Sequence, residues 1–398
     1  MVMGEIGISK EYKDSSLGKI PVDWEAKRID EFSPFQRGFD LPIEKIVDGE
    51  YPVVFSNGIL KHHNEYKAKA PGVVTGRSGT IGKVTFVEKD YWPHNTALWV
   101  TDFKGNDPKF VYYFYTHYNL ERFGTGSGVP TLNRNDVHCQ KIIVPPIFEQ
   151  SRIASSISTI DETITITNQL IAQKELLKKW LMQQLLSGKK RLKGFGGEWK
   201  EVRIGDVFEE IKETNDGGDS HSIMTISSKL GLISQQDKFD RVIAGDSLKK
   251  YTQLIKGDFA YNKGNSKTYP MGCVYQLEEY QSALVPFVYI CFKPSDKISS
   301  LFYKQWFNAH GLDRQLQRII TSGARGDGLL NVNSDDFFKL KIPLPPKDEQ
   351  TAIAQVLQSA DKEIQLLKAK AEKLKEEKKG MMQVLLTGKK RLHINTII

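Results

Sequence analysis

The sequence has little cysteine and no long apolar run. Its three cysteines, Cys139, Cys273 and Cys291, form no Cys-x-x-Cys pair and cannot all be bridged. Reduced, buried thiols are therefore expected rather than a disulfide framework or a metal site. No stretch of about 18 apolar residues exists, which excludes a membrane-spanning helix. Residues Met1 to Ser16 are polar and charged without an apolar core, so they do not read as a signal peptide and a cytoplasmic location is expected. Catalytic signatures are missing as well. Gly76 to Lys83 fails as a phosphate-binding loop, because Arg77 stands where the spacing requires glycine and Val84 replaces the Ser or Thr. The pairs Pro145-Pro146 and Pro345-Pro346 follow Val144 and Leu344, not the Asp or Asn of an adenine-methyltransferase motif. No Rossmann glycine fingerprint follows a strand, and Phe195-Gly196-Gly197 lies in a linker. Among eight histidines, His62-His63 is the only close pair, with no third ligand at helical spacing, so no metal is expected. The chain reads as a protein without its own catalytic centre.

What is present is charge and repetition. The formal net charge of +8 over 398 residues favours a polyanionic partner. Leu185-Leu186-Ser187-Gly188-Lys189-Lys190-Arg191-Leu192 recurs 200 positions later as Leu385-Leu386-Thr387-Gly388-Lys389-Lys390-Arg391-Leu392. The same offset pairs Pro145-Pro146 with Pro345-Pro346, Glu149-Gln150 with Glu349-Gln350, Ile153-Ala154 with Ile353-Ala354, and Asp161 with Asp361. Upstream, Trp24 with Arg28-Ile29 matches Trp199 with Arg203-Ile204. The span from Trp24 to Pro145 is shorter than that from Trp199 to Pro345. A constant frame thus encloses two inserts of different length, and a duplicated binder suits a target that itself has two halves.

After each Pro-Pro pair an apolar seven-residue repeat begins. Ile153, Ile157, Ile160 and Ile164 open it in the first copy; Ile353, Leu357, Ile364, Leu367 and Leu374 carry it in the second. Such a repeat predicts coiled-coil helices. The prolines mark their starts, and Gly188 and Gly388 their left-handed caps. Each helix would need a partner for its apolar stripe. The duplicate helix, packed antiparallel, is the first candidate, and another protein the second. Polar residues at seam positions 167, 174, 178 and 378 are expected to set the register at some cost in stability.

The inserts are divergent copies. Gly72 to Val84 lines up with Gly257 to Val274 as strand, polar glycine-rich loop, strand. An apolar strand follows each loop (Thr96 to Val100; Leu284 to Phe292), then an aromatic helix and a second glycine-rich loop. The predicted fold is α+β: two mixed α/β domains with two long helices forming an antiparallel coiled coil, in an internal pseudo-two-fold repeat. The expected divisions are 1–146 and 193–346 for the domains, and 147–192 and 347–398 for the helices with the C-terminal tail. Arg77, Ser78, Gly79, Thr80, Lys83 and Ser127 in the first copy, and Lys263, Asn265, Ser266, Lys267 and Arg325 in the second, are the candidate ligand-reading residues. Arg, Lys, Asn, Ser and Thr reach base edges and phosphates, and glycine lets a loop backbone approach closely.

With the repeated Pro-Pro, Glu-Gln and Ile-Ala segments, heptad helices ending Leu-Leu-Ser/Thr-Gly-Lys-Lys-Arg-Leu, and two variable inserts, the chain resembles the specificity subunits of type I restriction–modification enzymes. The resemblance covers about residues 17–392. It implies two target-recognition domains that each read half of a split site in double-stranded DNA, with the helices fixing the spacing between halves. It implies two modification (methyltransferase) subunits docked on the helices, joined by two restriction subunits where cleavage accompanies methylation. The chain itself would hold no cofactor; S-adenosylmethionine, ATP and Mg would reside on those partners. Two other readings stay open from the residues. One is the recognition subunit of a fused methylase–nuclease system; the other is a protein scaffold built on the coiled coil that reads no DNA.

Overall fold

The computed structural model describes residues 11–126, 128–215, 222–227, 231–236, 245–264, 266, 268–320 and 329–392. The chain divides into two compact units. One is Met1–Asn168 with Ala369–Ile398; the other is Gln169–Lys368. Both are α+β, and each takes part of two 39-residue helices, Ile147–Leu185 and Lys347–Leu385. Among the described residues no helix is long and apolar enough to cross a membrane.

The helices start and stop where the local chemistry dictates. The Pro146 carbonyl accepts from the Glu149 and Gln150 amides, and Pro346 from Gln350, so each proline pair supplies the first turn without needing its own N–H. At the far ends, Gly188 and Gly388 adopt φ of +70° and +67°. Their amides donate to Leu185 and Leu385, while Lys190 and Lys390 donate to Gln184 and Val384. Orphan carbonyls of the last turn are thereby satisfied. The first helix is rich in threonine, and Thr159, Thr163, Thr165 and Thr167 each donate a hydroxyl to the carbonyl four residues back. Such a sequence has modest intrinsic helicity and depends on tertiary packing.

That packing is antiparallel. In the first unit Ile153, Ile157 and Ala154 share a buried cluster with Met382, Leu385 and Leu386, so one helix's beginning lies against the other's end. In the second unit Ile353, Ala354 and Leu357 meet Leu185 and Leu186. Farther along, Ile364 is buried while Ile160, Ile164, Leu367 and Leu374 are half-buried. There the polar seam residues take over: Lys378 reaches Asp161 at 2.6 Å and Lys178 reaches Asp361 at 2.5 Å, with Lys174 to Glu363 at 2.7 Å. Adding 200 to Asp161 and subtracting it from Lys378 converts the first pair into the second.

Each unit carries an antiparallel four-stranded sheet of one topology. In the first, the order is Phe35–Arg37, Ala97–Val100, Gly72–Gly76 and Val84–Val87. In the second it is Phe208–Glu210, Ile290–Pro294, Phe259–Asn262 and Cys273–Gln276. Aromatic helices, Pro108–His117 and Ser300–Asn308, cover these sheets. Fully buried rings such as Phe35, Phe110, Phe259 and Phe302 fill the space between, each contributing about 1.5–3 kcal/mol. The frame strands also pair: Glu25–Arg28 with Lys141–Val144, and Lys200–Arg203 with Lys341–Leu344.

Two expectations change. The apolar run Leu284 to Phe292 is two strands, Ser282–Val285 and Ile290–Pro294, in different sheets. Pro286 lacks an N–H for a ladder and its carbonyl instead accepts from Tyr289, which turns the chain. Cys139 is exposed rather than buried, because it caps the short helix Arg134–His138 with its thiol toward the Asp136 carbonyl. Cys273 and Cys291 are buried, and burial pushes the Cys291 thiol up to about 12.

Candidate nucleic-acid interface

The first glycine-rich loop leaves the strand Gly72–Gly76 and returns at Val84. A methyl group on Gly76 would lie 1.7 Å from the Thr80 carbonyl oxygen and 2.6 Å from that of Ser56, so only glycine lets the loop fold back. Gly79 and Gly82 adopt φ of +84° and +81°. The amides of Arg77 and Ser78 donate to the Thr96 carbonyl at 2.9 and 3.1 Å, and Gly79 to Pro130 at 3.0 Å. Arg77 accepts from the Leu132 amide at 2.7 Å. The backbone is thus held from two neighbouring segments, and little ordering remains for a ligand to impose. Of the side chains, Thr80 is exposed, Ser78 is half-buried, and Lys83 donates to the Asn57 carbonyl at 2.5 Å. Ser127 lies outside the described residues.

The second loop is built on the same frame. Lys263 accepts from the Leu330 amide at 2.9 Å, as Arg77 does from Leu132. Gly264 bridges Leu329 as Ser78 bridges Thr131. The Lys263 ammonium donates to the Val332 carbonyl at 3.2 Å. Ser266 and Tyr269 close a turn through Ser266 N–H to the Tyr269 carbonyl and Tyr269 N–H to Ser266 Oγ. The Tyr269 ring stacks on His310, 4.7 Å between centroids. Asn265, Lys267 and Arg325 lie outside the described residues.

Beside the first loop opens a cleft of about 550 Å³, lined by Gln36, Arg37, Arg77, Asn133 and Arg134 among others. Arg37 forms an ion pair with Asp40 at 3.0 Å. The side chains of Arg77 and Arg134 make no hydrogen bond or ion pair with any described residue. Gln36, Arg37 and Arg134 are not legible from the sequence, since Gln36 and Arg37 sit on the strand Phe35–Arg37 and Arg134 on the helix Arg134–His138, and no local pattern joins either element to Arg77. The only signal was Arg134 directly after Asn133, a frame residue matched by Asn333.

A profile of the type I restriction modification DNA specificity domain matches residues 21–176 and 287–376, more than half of the chain. The chain belongs to this family. It is a type I restriction–modification specificity subunit, the non-catalytic component that recognises DNA and assembles with the other subunits of the complex. It is similar to the MjaVIII specificity subunit of Methanocaldococcus jannaschii, at 25% identity with 96% of each chain covered. The MjaX specificity subunit (putative) of the same organism is 22% identical, over 96% of this chain and 97% of that one. Among solved structures, the S subunit of a type I system from M. genitalium aligns with a TM-score of 0.59 at 15% identity, covering 91% of this chain and 96% of that one. A second, from work on the assembly and conformational transition of a type I system, aligns at 0.54 and 15% identity over 93% and 99% of the two chains.

The specificity subunit keeps its repeated carboxylates for its frame. Glu149 accepts from Trp24 Nε1 at 2.9 Å and from the Arg391 guanidinium at 2.6 and 2.8 Å. Glu349 accepts from Trp199 Nε1 at 3.1 Å and from Arg191 at 2.5 Å. Gln150 bonds the Pro145 carbonyl and accepts from the Asp107 amide, at the start of the aromatic helix; Gln350 treats Pro345 and Ser299 in the same way. The Glu-Gln dipeptide therefore occurs twice because it clamps strand, helix and aromatic helix together in each unit. Among the described residues no group of three or more His, Cys, Asp or Glu could hold a metal ion. His63 is buried against the Val47 backbone. Asp258, whose carboxyl burial pushes above the usual range, accepts from the Ile255 amide in a turn.

Proposed function

We propose that each unit reads one half of a split, two-part site in double-stranded DNA, residues 1–146 and 193–346 acting as the two target-recognition domains. Residues 147–192 and 347–398, the helices with the C-terminal tail, would then be the common frame that docks the partners. Two modification subunits would bind there, joined by two restriction subunits where cleavage accompanies methylation. S-adenosylmethionine, ATP and Mg would be held by those partners, and the complex would act in the cytoplasm on chromosomal or incoming DNA.

The observation that carries this reading is the repetition of one frame around loops that differ. Arg77 and Lys263 occupy the same backbone position, yet one is a guanidinium and the other an ammonium. Arg77, Ser78, Gly79, Thr80, Lys83 and Ser127 would contact one half-site; Lys263, Asn265, Ser266, Lys267 and Arg325 would contact the other. Phosphate contacts by Lys and Arg would provide much of the affinity and make it strongly salt-dependent, while base-edge contacts would discriminate. The test is a genome-wide adenine-methylation map of cells expressing this chain with its cognate modification subunit, against cells without the chain. A split motif with a fixed spacer, present only with the chain, is expected. Unchanged methylation with the complex assembled would overturn the reading.

A further inference from the structure

The residues lining the cleft beside the first loop differ chemically from the described residues at the matching positions of the second unit. The cleft's three cations, Arg37, Arg77 and Arg134, are all guanidinium groups, and Gln36 and Asn133 stand among them. The sheet register identifies the matching positions. Leu98 pairs with Arg37 and with Thr75, two residues before Arg77. In the second unit Ile290 pairs with Tyr261, two residues before Lys263. Continuing the register of Phe208–Glu210 through the Ile211 amide, which donates to Cys291, puts Lys212 opposite Ile290. Arg134 follows the helix N-cap Asn133 as Ser334 follows Asn333. The counterparts of Arg37, Arg77 and Arg134 are therefore Lys212, Lys263 and Ser334.

These counterparts are engaged. Lys212 pairs with Glu210 at 3.1 Å, Ser334 donates to the same carboxylate, and Lys263 donates to the Val332 carbonyl. In the first unit only Arg37 has a described partner, Asp40, while Arg77 and Arg134 have polar donors to offer. An ammonium is a point charge that serves a phosphate. A guanidinium is a planar fork matching two acceptors in one plane, and the two are not interchangeable where that geometry matters.

We propose that the cleft lined by Arg37, Arg77 and Arg134 reads guanine in the half-site bound by the first unit. This rests on the reading that each unit binds one half-site. Every half-site offers the same phosphates, so a device needed for phosphate would recur on a frame that is otherwise repeated. Among the described residues the three-guanidinium arrangement occurs in the first unit alone, and a device that is not repeated follows what differs between half-sites, the bases. Guanine presents O6 and N7 side by side in the major groove, the acceptor pair that a guanidinium fork matches. Gln36 adds an amide donor and acceptor among the guanidinium groups, and Asn133, whose side-chain oxygen caps the helix Arg134–His138, adds an amide donor.

The test is methylation mapping of the complete complex carrying Arg37→Ala, Arg134→Ala or Arg134→Lys, beside the unsubstituted complex. Arg37 and Arg134 are exposed, and the half-site read by the second unit serves as an internal control for folding and assembly. Expected is a broadened base requirement in one half-site only, at a position that is a G·C pair in the unsubstituted motif. Methylation of sites with another base there should rise at least about tenfold relative to the original. Arg134→Lys should broaden the motif as Arg134→Ala does, because the fork is lost while the charge stays. An unchanged motif, uniformly weaker methylation at every site, or full restoration by lysine would overturn the proposal, the last two assigning the cleft to phosphate. If the unsubstituted complex yields no split motif, the reading beneath the proposal fails, a result distinct from failure in the variants alone.

Discussion

Arg391 and Glu149 are 242 positions apart in sequence, and their side chains meet through two hydrogen bonds of 2.6 and 2.8 Å. Glu149 is 1% exposed and the arginine side chain 8%. Asp23 holds the other edge of the guanidinium at 2.7 and 2.8 Å. A buried charge is tolerated only when fully paired, so the segment after the second long helix is fastened to the start of the first. The second unit repeats the bond between Arg191 and Glu349, but Glu198 follows Gly197 where Asp23 would be matched, and Arg191 turns to the carbonyls of Gly196 and Gly197 instead.

Removing one partner of the pair should cost more than removing both. Arg391→Ala leaves the Glu149 carboxylate buried without a counter-charge, held by the Trp24 indole N–H alone, and a loss of about 3–5 kcal/mol is expected in the unfolding of the first unit. Glu149→Gln combined with Arg391→Met should recover a large part of it. Urea unfolding of both variants checks this; equal losses would show that the pair acts through shape rather than charge.

The paired seam ions predict a rescue. Lys378→Asp alone should destabilise the first unit through repulsion from Asp161, whose other oxygen accepts from the Tyr113 hydroxyl at 2.9 Å. Adding Asp161→Lys should restore the attraction but lose the tyrosine bond. The coupling measured by the double-mutant cycle should be about 0.5–1 kcal/mol, because both side chains are partly solvated. Zero coupling would assign the register to the apolar seam alone.

Gly76→Ala should disable the first loop and spare the second. The added methyl would meet carbonyl oxygens, which cannot swing aside as a side-chain tip can. The half-site read by the first unit should be lost from the methylation map or degraded at every position, with thermal stability of the second unit unchanged. Wild-type methylation in this variant would mean that the loop does not carry recognition.

His138 links stability to pH. Its Nε2 accepts from the Phe35 amide at 2.9 Å, which requires the neutral ring. Burial holds its pKa below the ordinary 6.5, helped by Arg134 and Arg28 and opposed by Asp30. A depressed histidine pKa means that the unfolded chain binds the proton more readily. The stabilisation is therefore complete above about pH 6.5 and is lost as the pH falls through the folded value. The unfolding midpoint of the first unit should drop between pH 7.5 and 5.5, and His138→Gln should flatten that slope. A slope unchanged by the substitution would place the titration elsewhere.

The duplication, the helix boundaries and the loop positions were legible from spacing alone, because those features are local. A proline cannot continue a helix backward, a seven-residue repeat presents one apolar edge, and a glycine cluster between strands turns the chain. Lys178 and Lys378 are readable as interruptions of the seam, and the offset of 200 matches Lys178 with Lys378 and Asp161 with Asp361 as copies. That each lysine finds the aspartate of the other copy required the antiparallel packing of the helices within each unit.

By itself the sequence determined a repeated α+β frame with two differing loops, since periodicity and repetition are written in consecutive residues. Tertiary structure alone decided that Trp24, Glu149 and Arg391 form one lock, that Leu284 to Phe292 breaks into two sheets, and that Arg37, Arg77 and Arg134 line one cleft. The physical reason is register. Which residues face each other across strands depends on how apolar faces pack, and a shift by one residue would turn every side chain to the opposite face.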